Sequence, residues 1–401
     1  MRSVHLVPVL ILILALSLPL PRTLFSYGFK IQGAFLILLF FISTTFALFK
    51  GNIKRLNSTL IALFLMLPVV YTAYGLFYGN DIYAALKEFL FFSTPLWAFF
   101  IVVNGSREDD VRKLCNFIIN LGTVMSIALL VYELYGLMNF TGRYNYRWEH
   151  ILLCVDFINI AYILYLAVSK TRRALFSPKY ILITSSLVLT MGRAELMLVV
   201  FFLLFFLFSR TFRSLKTPSL FLTTCIIASM LYLAVLFIPE QTTSGRSATW
   251  RLEEWLSYFR GLKEGVINPI VGNGFGFLLT PLHPLRLFSG KVLDKIQRFH
   301  SLYLYLLVKT GAIGLSAFMI AIASFLSKAW RATSLSREAK KIAAIVALYI
   351  AFDIFLKGSV TGSFTGSLTS GIALGILLGI LHNVKNYGFQ ESLLDHKRFT
   401  Q

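Results

Sequence analysis

Twelve times along its 401 residues this chain runs into an apolar stretch, and most of these have the length an α-helix needs to cross hydrocarbon. A bilayer core about 30 Å thick takes about 20 helical residues. The stretches lie at 4–21, 33–49, 58–78, 85–103, 116–138, 151–169, 180–192, 195–209, 218–238, 301–325, 342–357 and 368–383. In lipid every backbone polar group must be satisfied within the protein. The expected class is therefore all-α, a polytopic transmembrane bundle of about 12 helices with one long loop. Only 14% of the residues are charged, where soluble domains carry roughly 25%, so lipid is the main solvent. A net charge of +20 would suggest nucleic acid in a soluble protein. Here Lys and Arg fall between the apolar runs, where orientation in the membrane accounts for most of them and no nucleic-acid partner is implied.

Met1-Arg2 followed by Val4 to Leu20 has the outline of a signal peptide, but Pro19-Leu-Pro-Arg-Thr23 follows instead of a small-residue cleavage site. The expectation is a retained first helix. The seventh and eighth stretches are short, with only Gly192 to Ala194 between them, and predict a hairpin that turns inside or at the surface of the membrane. Cys115, Cys154 and Cys225 stand in or beside separate apolar runs, which implies neither a disulfide framework nor a thiolate metal site.

With both termini in the cytoplasm, the cytoplasmic loops and ends carry 22 Lys and Arg and the short loops opposite carry 6. Long segments cross largely regardless of charge, so the 8 in the long loop do not count against this orientation. The organisation that follows is helices 1–9 in 1–238, an outer loop over 239–300, helices 10–12 in 301–383 and a cytoplasmic tail over 384–401. Arg193, the long loop and His300 then share the outer side.

His300 stands where the loop meets the tenth helix. An imidazole there is wetted, belongs to the side-chain type that titrates near neutrality, and is carried on a rigid element. The bland alternative is packing at a membrane boundary. Within the loop, residues 246–264 show helical spacing, with Leu252, Trp255, Leu256, Phe259 and Leu262 on one apolar face. Trp250 and Trp255 suit an interfacial helix lying on the bilayer. Asn268-Pro-Ile-Val-Gly-Asn-Gly-Phe-Gly276 then breaks the helix. Its alternating glycines allow close approach of backbone to a ligand, although such a run is more often a turn.

Arginine inside an apolar hairpin costs roughly 2.5–3.5 kcal/mol on insertion scales. Arg193 therefore either pairs with Glu195, snorkels to headgroups, or forms an anion site on the outer leaflet. Guanidinium binds phosphate oxygens bidentately and keeps its charge. Arg246 is a second candidate for such binding, and Arg251, five residues on, projects from a different face. Arg143, Arg147, Glu149 and His150 decorate the third outer loop, and Arg147 is a further candidate contact for a polar substrate. Asp156 and Asp353, within apolar stretches, are expected as interior hydrogen-bonding groups or as partners for cations; Lys309 either pairs with one of them or snorkels. No Asp-x-Asp pair stands on an outer loop and no His-x-x-x-His or Glu-x-x-His spacing occurs, so no metal is expected. A P-loop and a Gly-x-Ser-x-Gly elbow are also missing, and no cofactor is implied.

With these residues in view the chain resembles the O-antigen ligase and O-antigen polymerase superfamily. His300-Ser301, nine residues, Gly311, two residues and Gly314 match the ligases' His-[Asn/Ser/Gln]-x9-Gly-x2-[Gly/Thr/Val] pattern. Leu189-Thr-Met-Gly-Arg193 is similar to the family's Thr-x-Ser-Arg hairpin, with Gly192 where Ser is usual. Arg246-Ser-Ala-Thr-Trp-Arg251, then Asn268-Pro and Gly272-Asn-Gly274, is similar to its Arg-x3-Trp-Arg … Pro-x2-Gly-x-Gly segment. The similarity covers 185–316; before that the chain agrees only in being a string of helices. Lys309 stands near a position where the family often has an acid.

The resemblance implies a metal-independent glycosyltransferase of the bacterial inner membrane with a periplasmic active site. Its donor would be a glycan on undecaprenyl pyrophosphate. Its acceptor would be a sugar hydroxyl of lipid A-core in a ligase, or a second lipid-linked repeat unit in a polymerase. Membrane lipids are the remaining partners. His300 would accept the hydroxyl proton, orient the acceptor or bind phosphate. Arg193 and Arg246 would take up charge on the leaving pyrophosphate, with Arg251 and Arg147 as further contacts. The nine-residue spacing favours the ligase. A lipid transporter would fit the helices, but the informative residues gather on one face and the halves do not repeat.

Overall fold

The computed structural model describes residues 57–106, 111–139, 155–169, 175–189, 197–203, 244–283, 285–286, 292–297, 299–330, 337–358, 365 and 368–399. In chain order the helices are α1 (Ser58–Phe77, with a π-turn at Ala62–Met66), α2 (Ile82–Gly105), α3 (Val111–Asn139), α4 (Val155–Val168) and α5 (Pro178–Leu189). Then come α6 (Ser244–Lys263), α7 (Leu302–Trp330), α8 (Arg337–Ala351, continued by a π-turn at Phe352–Lys357) and α9 (Leu368–Phe399). Between α6 and α7 a two-residue antiparallel ribbon pairs β1 (Leu285–Arg286) with β2 (Val292–Leu293). Among the described residues four helices are long and apolar enough to cross a membrane: α1, α2, α3 over Val111–Val131, and α7 over Leu302–Lys328. Val155–Val168 and Thr369–Val384 are apolar but shorter. The expected spans at 4–21, 33–49 and 218–238 and the hairpin turn at 192–194 lie outside the described residues.

The chain divides into two compact units. One holds α1, α2, the β-ribbon and α6 to α9. Asn57 caps α1 by accepting from the Thr59 and Leu60 amides, and Asp81 caps α2 through the Ala84 amide. Along α9, Gly371, Gly375 and Gly379 recur every fourth residue against α2. A Cβ at Gly375 would lie 2.3 Å from the Pro95 carbonyl oxygen, and one at Gly379 2.7 Å from Val102 Cβ. Small residues at this spacing let membrane helices approach closely, where packing rather than hydrophobic exclusion holds them together. Asn383 Nδ2 closes the pair by donating to Ser106 Oγ at 2.8 Å. Phe64, Phe92, Phe275 and Phe318 interlock at centroid separations of 5.7 to 6.4 Å. The other unit holds α3, α4 and α5. There a Cβ at Gly122 would meet Ala161 Cβ at 2.2 Å, and the Tyr162 hydroxyl donates to the Val199 carbonyl.

Helix α7 is broken at Gly311, whose φ of 63° and ψ of −170° no helix contains. A break inside a membrane helix strands backbone groups that lipid cannot satisfy. Residues 268–276 supply the missing partners from both directions. The amides of Asn273 and Gly274 donate to the Val308 and Lys309 carbonyls, which end the first half-helix. The carbonyls of Pro269 and Ile270 accept from Ala312 and Ile313, which begin the second. Tyr71 adds its hydroxyl to the Thr310 carbonyl at 2.8 Å.

The alternating glycines are therefore closed to a ligand, because protein backbone already occupies the approach. All three have positive φ. A Cβ at Gly272 would lie 2.5 Å from Gly311 N, at Gly274 2.4 Å from Gly75 Cα, and at Gly276 2.6 Å from the Asp81 carbonyl oxygen. The run is a turn wedged among helices, the commoner of the two alternatives read from the sequence. Gly272→Ala combines left-handed strain with a clash against backbone and is expected to lose about 2–4 kcal/mol. Thermal unfolding of the detergent-solubilised protein measures this, and an unchanged melting temperature would show that the wedge is not tight.

Lys309 finds neither partner expected of it. Its Nζ is 2.7 Å from Glu88 Oε1, with side-chain exposures of 0% and 4%, and it also donates to the Phe277 carbonyl. Glu88 Oε2 accepts from the Gly276 amide at 2.9 Å. Asp353 instead faces Lys357 at 3.1 Å, one turn on. The correction is geometric: the glycine wedge brings α7 to the level of Glu88 on α2, six residues past its start.

Candidate functional site

Helix α6 carries the site, and its sequence explains its limits. Arg260 and Lys263 in the last turn favour the negative end of the helix dipole. Gly265, at φ 71°, ends it: the Gly265 amide returns to Leu262 and the Val266 amide to Gly261, a Schellman turn. The expected apolar stripe is present, but it faces away from the protein. Leu252, Leu256 and Phe259 are exposed, while Glu253, Glu254, Ser257 and Tyr258 are buried. An apolar face turned outward is what an interfacial helix requires. It also puts two carboxylates inside.

Glu254 is the residue that matters most, and sequence reasoning passed over it. Its side chain is 1% exposed, and both its oxygens serve His300. Oε2 accepts from the His300 backbone amide at 2.9 Å and Oε1 lies 2.7 Å from His300 Nδ1. A carboxylate accepts, so the Nδ1 proton belongs in this bond. The neutral imidazole then presents Nε2 as a bare acceptor, the tautomer a general base needs. The imidazole itself is 43% exposed. The Trp250 ring closes one side of it edge-on, with centroids 5.4 Å apart. Ser301, next in the chain, accepts from the Leu304 amide with its hydroxyl and starts α7. His300 is thus fixed from two sides, by a helix cap behind it and a buried carboxylate beneath.

Arg251 is half-buried, one helical step from Trp250 and three residues before Glu254. Its Nε is enclosed, and among the described residues nothing bonds it. A guanidinium with an unsatisfied enclosed donor is a disfavoured arrangement unless an acceptor arrives. Of the other residues singled out from sequence, Arg246 lies in the first turns of α6. Arg193 and Arg147, with Arg143, Glu149 and His150, lie outside the described residues. The signal that pointed to Glu254 was available: two adjacent acids on a helix in a basic loop, opposite its apolar stripe. Their depth was not, because only the fold says which face turns inward. Neither a protein-family model nor a characterised protein matches this chain.

Proposed function

We propose that the chain is a glycosyltransferase of the bacterial inner membrane, of the O-antigen ligase type, with twelve membrane helices and its site on the periplasmic side. The observation that carries this reading is the His300–Glu254 pair at the head of a membrane helix. A hydroxyl of lipid A-core attacks the anomeric carbon of the glycan, and the bond from that carbon to the pyrophosphate oxygen breaks. The hydroxyl proton passes to His300 Nε2, and Glu254 balances the imidazolium that forms. Undecaprenyl pyrophosphate leaves with the bonding pair. Its growing negative charge needs fixed cations; Arg251, with its open donor, joins Arg246 and Arg193 for this role, and Arg147 is a further candidate contact.

Purified protein in lipid nanodiscs, given undecaprenyl-pyrophosphate-linked glycan and lipid A-core, is expected to form the glycan–core conjugate without ATP or an ion gradient, as read by mass spectrometry. Joining of one lipid-linked unit to another in place of core would move the assignment to the polymerase. Conversion of neither acceptor would remove the enzymatic reading.

A further inference from the structure

Next to the His300 pair, α6 holds a second histidine in the same way. Glu253 Oε1 accepts from the His283 backbone amide at 2.6 Å, and Oε2 lies 3.0 Å from His283 Nδ1. The carboxylate is 9% exposed and the imidazole 73%. One turn along, Ser257 Oγ accepts from the Leu282 amide at 2.9 Å, and Pro281 and Pro284 flank the segment. Consecutive residues of one helix thus each spend a buried carboxylate on the amide and Nδ1 of one histidine, and among the described residues nothing bonds either Nε2.

Anchoring Leu282 and His283 to α6 needs only their backbone amides. The further bond to Nδ1 adds little to that anchoring, because the ring is 73% exposed. What it does is hold an exposed imidazole in one orientation and one tautomer, with Nε2 as acceptor. Ordering an exposed side chain opposes folding through lost rotamer entropy, so the arrangement suits a contact made outside the protein. Neutral imidazole acceptors recognise hydroxyl donors. Glu253 and Glu254 are neighbours, so both imidazoles are tethered to the same turn of α6.

We propose that His283, oriented by Glu253, is a carbohydrate-binding residue that holds a sugar hydroxyl through Nε2 while a second hydroxyl of the bound saccharides reacts at His300. This rests on the glycosyl-transfer reading of His300, but the binding can be tested without turnover. Two soluble probes separate the sources of the hydroxyl: core oligosaccharide freed from lipid A, and the O-antigen repeat oligosaccharide freed from its lipid. Their affinities are measured by saturation-transfer NMR on the full-length protein in nanodiscs, for the native chain, His283→Gln and Glu253→Gln. Loss of one hydrogen bond corresponds to about two- to tenfold weaker binding. That weakening against core oligosaccharide, with an unchanged melting temperature, puts His283 on the acceptor side; against the repeat oligosaccharide it puts His283 on the donor side. Unchanged affinity for both, or weakening only in variants that also melt early, overturns the proposal. Failure of transfer in the native protein with these binding effects intact would count against the glycosyl-transfer reading and leave the saccharide site standing.

Discussion

His300→Ala is expected to lower glycan transfer by 10²–10⁴-fold while the protein still inserts. The imidazole is 43% exposed and the segment keeps its amide bond to Glu254, although the buried Oε1 loses its partner and some stability goes with it. Glu254→Gln is the sharper variant. A carboxylate only accepts, which keeps the proton on Nδ1 and leaves Nε2 bare. An amide can turn its NH2 toward Nδ1, and the imidazole then carries its proton on Nε2, where it cannot take another from a hydroxyl. The base is lost although every heavy atom stays close to its place. Single-turnover rates with undecaprenyl-pyrophosphate-linked glycan distinguish the two roles: both variants fall in rate and neither weakens donor binding. Native rates in His300→Ala would remove the residue from the chemistry. A normal rate in Glu254→Gln alone would reduce the carboxylate to an anchor for the chain.

Breaking the Lys309–Glu88 pair is expected to have the largest effect on stability. Both side chains are nearly or fully buried, and Glu88 also holds the Gly276 amide while Lys309 holds the Phe277 carbonyl. Lys309→Met leaves a buried carboxylate without its cation, and Glu88→Leu leaves a buried ammonium without its counter-charge. Removing one member of a buried pair destabilises by about 3–5 kcal/mol, whereas replacing both by apolar residues is often neutral. The double variant Glu88→Leu/Lys309→Met is therefore expected to melt above either single variant. Melting curves of the four proteins in one detergent check this. A single variant as stable as the native chain would mean that water reaches the pair, and a double variant no better than the singles would mean that the glycine wedge depends on the charges themselves.

Apolar length and charge asymmetry are properties of local sequence, and this is why the helices were legible. The spans read at 58–78, 85–103 and 301–325 fall on helices Ser58–Phe77, Ile82–Gly105 and Leu302–Lys328. The helix read over 246–264 is found at Ser244–Lys263. His300 could be singled out because it interrupts a pattern, a titratable ring at the edge of an apolar run. Glu254 shows in the sequence only as one of two adjacent acids opposite an apolar stripe, a pattern that a fully solvated helix face carries as well. The expected partners of Lys309 were likewise chosen from acids inside apolar stretches, and Glu88 qualifies on that ground as well as they do. Sequence spacing holds no information on which helices touch.

What this chain's amino acids determine unaided is that it forms membrane-length helices, where those helices start, and that a histidine and several arginines lie beside them, because hydrophobic transfer and helix periodicity act over one segment at a time. Only the tertiary structure decided that α6 turns its carboxylates inward, that the glycine run is a wedge in a broken helix and not a ligand cradle, and that Glu254 stands under His300. Each of those depends on contacts between residues 30 to more than 200 positions apart, and burial is a property of where a chain returns to itself.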